Sequence, residues 1–97
     1  AQQDYLPCGF LARAALYRLR GYFERARRDL EEAMPIATRG GMGLHQADAH
    51  LEYTRLYLAM EEPDKACDNL TTAKEMIERM GYHRRDDEVT KLEEQLR

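Results

Sequence analysis

The chain has 97 residues, of which 43% are hydrophobic and 34% charged, and its formal net charge is −3. Acids and bases are mixed along it, so it carries no strong field for nucleic acid or an anionic membrane. No apolar run approaches the roughly 20 residues of a membrane span, and no signal peptide is visible.

These bounds predict one small domain, rich in helix and poor in loops, with six Gly and three Pro. Two cysteines in helix-like contexts, Cys8 and Cys67, argue against a disulfide framework and for a reducing, cytoplasmic setting. Cys67, beside Ala66 on a packing face, reads as a small buried hydrophobe. Because the sequence opens on Ala1 and not on Met, a piece of a longer protein is expected.

The first helix is predicted to start near Tyr5 or Pro7, with Asp4 as N-cap, and to run through "GFLARAALYRLR" to a break at Gly21. The second follows as "YFERARRDLEEAMPIATR". Its Phe23, Ala26, Leu30, Ala33 and Ala37 recur at intervals of three and four, a helical period and not a strand alternation. Pro35 lies inside this pattern and removes the bond to the Glu31 carbonyl; a kink is expected there rather than an end. "GGMG" at 40–43 reads as a helix stop. The third helix is "LHQADAHLEYTRLYLAM". The fourth begins at "EPDKA" with Pro63 in its first turn, carries Ala66, Leu70, Ala73, Ile77 and Met80 on one stripe, and stops at Gly81. A last helix is predicted near 86–96, capped by Asp86, with Val89, Leu92 and Leu96 on one side.

The chain repeats at an offset of 40. Leu16 falls on Leu56, Tyr17 on Tyr57, Ala26 on Ala66, Leu30 on Leu70, Ala33 on Ala73, Arg39 on Arg79 and Gly41 on Gly81. What recurs is small or medium apolar residues, as two packed helices require where their axes approach, while the solvent side has drifted.

These residues resemble the tetratricopeptide repeat, in its long-helix variety. That pattern matches Ala14, Tyr17, Gly21, Phe23, Ala26, Leu30 and Ala33 in one copy, and Thr54, Tyr57, Glu61, Pro63, Ala66, Leu70 and Ala73 in the other. The second copy departs at the turn, where Glu61 replaces Gly and Pro63 the aromatic; Arg13 and Tyr53 stand where the family has Leu. The resemblance covers residues 7–80. It implies an all-α, right-handed superhelix of two helix hairpins, about 5–41 and about 44–81, with a capping helix at about 86–96.

Catalytic and metal chemistry find no constellation. His45 and His50 are five apart, about 140° around a helix, and cannot chelate as an i, i+4 pair would. His83 reads as a surface residue. The carboxylate pairs Glu31–Glu32, Glu61–Glu62 and Asp86–Asp87 read as caps and solvated charge. "HRR" at 83–85 and Arg25, Arg27 and Arg28 are interleaved with acids, and Tyr17, Tyr53 and Tyr57 stand at core spacing, so nucleic-acid binding has little support. No enzyme activity, cofactor or metal is expected.

The resemblance implies a scaffold that binds a protein or peptide on its concave face. The alternative is a regulatory or sensor arm of a larger signalling ATPase or transcription activator, holding a segment of its own chain. Counted from the turn alanines, the groove positions are Cys8, Leu11, Ala15, Arg18 and Leu19 on the first helix and Asp48, Leu51, Arg55, Leu58 and Ala59 on the third. Arg18 and Arg55 are expected to stand together above an apolar floor of Leu51 and Leu58, gripping a carboxylate, or else to pair with neighbours such as Asp48. Charge reversal of Arg55 is expected to leave stability nearly unchanged. Leu6, Phe10, Leu11 and Leu16 on the first helix are expected to be partly uncovered, which points to self-association or to a preceding repeat.

Overall fold

The computed structural model describes residues 7–97, with side chains from Gly9 onward. The Asp4 cap, Tyr5, Leu6 and the Cys8 side chain lie outside the described residues. The fold is all-α: α1 (Pro7–Leu19), α2 (Phe23–Arg39), α3 (Gly43–Ala59), α4 (Pro63–Met80), a 3-10 turn (His83–Arg85) and α5 (Asp86–Leu96), with no strand among the described residues. Helix α1 packs on α2, α3 on α4, α2 on α3, α1 on α3, and α5 on α4 and α3.

The four turns are built alike. The amide of Tyr22 donates to the Tyr17 carbonyl at 2.8 Å, Met42 to Ala37 at 2.8 Å, Glu62 to Tyr57 at 2.8 Å and Tyr82 to Ile77 at 2.9 Å. Each such bond spans five residues over a left-handed residue, at Gly21, Gly41, Glu61 and Gly81, which is the Schellman closure of a helix end. The turns therefore recur every twenty residues, half the period legible in the sequence. None of the four helices that follow them has a side-chain N-cap bond, so this backbone closure carries the connections.

Glu61 holds the left-handed conformation, at φ 61°, without being glycine. The Cβ strain there exceeds the extra chain entropy that glycine would lose on folding. Glu61→Gly is therefore expected to raise stability by about 0.5–1 kcal/mol, read as a higher urea midpoint at unchanged slope. An unchanged or lower midpoint would contradict the turn geometry.

Ala14, Ala26, Leu30 and Leu56 form one buried cluster, with Tyr17, Phe23, Tyr53 and Met60 packed against it. Ala47, Leu51, Leu70, Ala73, Ile77, Val89 and Leu92 form the other. Ala26, Ala33, Ala66 and Ala73 are all fully buried, as the stripe spacing predicts. Helix α2 continues through Pro35, which is exposed. Two further expectations are corrected. Asp86 is the first residue of α5 and not its cap; its carboxylate meets His83 Nδ1 at 3.2 Å. Cys67 is exposed, because it follows Ala66 by one residue and so points about 100° away from the packed stripe. Met80, at the end of that stripe, is also exposed.

Candidate interaction groove

Helices α1, α3 and α5 line one side of the molecule and frame a hollow of about 400 Å³. Its walls are Arg18, Arg55, Leu58, Ala59, Leu92 and Lys91, with Glu88 and Gln95 at the α5 edge. A second hollow of about 460 Å³ continues past Arg55 and Glu88 to Asp48, Tyr82 and Arg85.

Between the two runs a chain of alternating charge. Arg18 Nε donates to Glu52 Oε2 at 2.5 Å, and Arg55 Nη1 donates to Glu52 Oε1 at 3.1 Å. Arg55 Nη2 also donates to Glu88 Oε1. Arg85 Nη1 donates to Glu88 Oε2 at 2.7 Å, and Arg85 closes on Asp48 through Nε at 2.9 Å and Nη2 at 3.3 Å. The bonds to Asp48 hold the Arg85 guanidinium above its ordinary pKa. Arg85 also lies 5.5 Å from the centre of the Tyr82 ring. The chain ties three helices: Arg18 comes from α1, Glu52, Arg55 and Asp48 from α3, and Glu88 from α5.

The structure thus brings Arg18 and Arg55 together, through the shared carboxylate of Glu52. Asp48 is not their partner, since it is taken by Arg85. Leu58 and Ala59 line the hollow, but Leu51, placed in its floor by the sequence, is only 1% exposed and belongs to the core beneath. Leu11 lines the second hollow, Ala15 lines neither, and Leu19 is 74% exposed outside both. Glu52, Glu88, Lys91 and Gln95 escaped the sequence reading. Glu52 left a signal: it lies between Ala49 and Leu56 on a buried arc, where an acid has to find a cation.

Glu52 is 5% exposed and holds both arginines, so charge reversal of Arg55 is expected to lower stability rather than leave it nearly unchanged. Lys91 is different. It is exposed, lines the hollow and makes no ion pair among the described residues.

Elsewhere no buried side-chain nitrogen or oxygen among the described residues lacks a hydrogen-bond partner. Asp29, buried on α2, takes Arg13 in a two-pronged pair at 2.7 and 2.8 Å. His50 Nδ1 meets Asn69 Oδ1 at 2.9 Å. Tyr53 and Tyr57 stack at 6.0 Å, and burial pushes the Tyr53 phenol up to about 12. On the outer face of α2, Arg27 joins Glu24 and Glu31. No group of three or more His, Cys, Asp or Glu among the described residues is placed to hold a metal ion. No described helix is long and apolar enough to cross a membrane.

Comparison of the chain with protein-family models, with curated proteins and with solved structures finds no match.

Proposed function

We propose that the chain is an interaction module: a two-hairpin array of the tetratricopeptide type, wound as a right-handed superhelix and closed by α5, that takes a peptide segment between α1, α3 and α5. The observation that carries this reading is the hollow in which Leu58, Ala59 and Leu92 lie beside Lys91 and two arginines. Three guanidiniums meet three carboxylates in the adjoining chain of ion pairs, and the ammonium of Lys91 is left over. Arg18 bonds Glu52 through Nε, and its Nη groups have no partner among the described residues, so they remain donors for an incoming acceptor. The ligand is then a segment with a carboxylate next to an aliphatic side chain, the first on Lys91 and Arg18, the second against Leu58 and Leu92.

Panning a random peptide-display library on the protein is expected to enrich acidic-aliphatic sequences. Lys91→Glu is expected to weaken their binding about tenfold at an unchanged melting temperature, since exposed charges add little to stability. No enrichment, or binders indifferent to Lys91→Glu, would overturn the proposal.

A further inference from the structure

The offset of 40 exposes a mismatch between equivalent surfaces. On α3 the arc Ala49, Glu52 and Leu56 is buried, and Leu56 packs with Ala26 and Leu30 of α2. The same arc on α5 is Val89, Leu92 and Leu96, and its first two members are buried on the α4 stripe. On α1 it is Gly9, Ala12 and Leu16, and there it faces outward: Gly9 and Ala12 are exposed and Leu16 is 45% exposed. Leu19 extends the arc by one turn at 74% exposure. A helix face patterned like two buried ones is therefore left uncovered.

We propose that this face pairs with itself, joining two copies of the chain through α1 about a two-fold axis. Head-to-tail stacking is blocked, because the seat on α4 that a second copy's α1 would take is already filled by Val89 and Leu92 of α5. Isologous pairing is not blocked in this way, and the face is shaped for it. Its N-terminal half is small, Gly9 and Ala12, and its C-terminal half is large, Leu16 and Leu19. In an antiparallel crossing centred near Ala14, Leu19 of one copy meets Gly9 of the other and Leu16 meets Ala12, so each bulky pair fills a shallow one. Apart from its own helix backbone and chain neighbours, the Cβ position of Gly9 meets no described atom within 4 Å, so the shallow half is open among the described residues. Such a contact is closed and stops at the dimer. One helix of 13 residues a side is a small interface, so the dissociation constant is expected near ~0.1 mM. The face meets the groove only at Ala12, which also lines the second hollow; Gly9, Leu16 and Leu19 line neither hollow.

Sedimentation equilibrium between ~10 µM and ~1 mM is expected to follow the mass from one chain to two and no further. Leu16→Glu/Leu19→Glu is expected to stay monomeric throughout at unchanged helicity. The register has its own test, with Cys8 and Cys67 replaced by serine. Mixed Gly9→Cys and Leu19→Cys chains should cross-link to each other. Gly9→Cys alone should not, because its two thiols would sit about 15 Å apart along the helices. A monomer at every concentration, a dimer that survives the glutamates, or cross-linking of Gly9→Cys with itself in preference to Leu19→Cys would each overturn the proposal.

Discussion

Removing both arginines from Glu52 is expected to destabilise the fold by about 2–4 kcal/mol. Arg18→Ala/Arg55→Ala leaves a carboxylate that is 5% exposed with neither of its cations, and an unpaired buried charge is among the costliest defects a small domain can carry. The loss stays below that of a fully buried pair because both guanidiniums are partly solvated in the parent. For a domain of this size the melting temperature should fall by about 10–20 °C. Adding Glu52→Leu should restore most of it, since an apolar side chain in place of a buried ion is neutral or stabilising. A leucine already occupies the equivalent position, Leu92, on α5. A double variant that melts within about 2 °C of the parent would mean that water reaches Glu52 and that the chain of ion pairs is decorative.

Leu56→Ala is expected to cost about 2–5 kcal/mol, the usual range for a leucine truncated in a closed core. Leu56 is fully buried against Ala26 and Leu30. Leu16, its partner in the repeat, is 45% exposed, so Leu16→Ala should cost under about 1 kcal/mol. Both are best measured by urea unfolding near 10 µM, where the proposed dimer is dissociated. Equal losses would contradict the stacking of α3 on α2.

The helices were legible because their apolar residues recur at three and four and their stops are glycines. Gly21, Gly41 and Gly81 all take the left-handed turn conformation. Glu61 hid the fourth turn, and with it the twenty-residue period, since nothing local says that a glutamate will adopt positive φ. Arg18, Arg55, Leu58 and Ala59 were placed on one face by counting from the turn alanines of the resembled repeat, and they share a hollow. Leu51 was misplaced because counting fixes an angle about the axis and not which neighbour covers it; α4 and α5 bury it. The α5 wall was invisible for the same reason. Glu88, Lys91 and Gln95 join the groove only through a tertiary contact, 33 to 40 residues beyond Arg55. Arg13, at a position the resembled family fills with leucine, is compensated by Asp29 from the next helix, a pairing of residues sixteen apart.

Whether a ligand binds between α1, α3 and α5 is read by amide chemical-shift mapping with an enriched acidic-aliphatic peptide. Saturable shifts are expected to gather at Arg18, Arg55, Leu58, Ala59, Lys91 and Gln95, and to need about tenfold more peptide to saturate in Lys91→Glu. Shifts centred instead on the outer face, at Arg25, Arg28 and Glu32 of α2, would contradict binding in the groove.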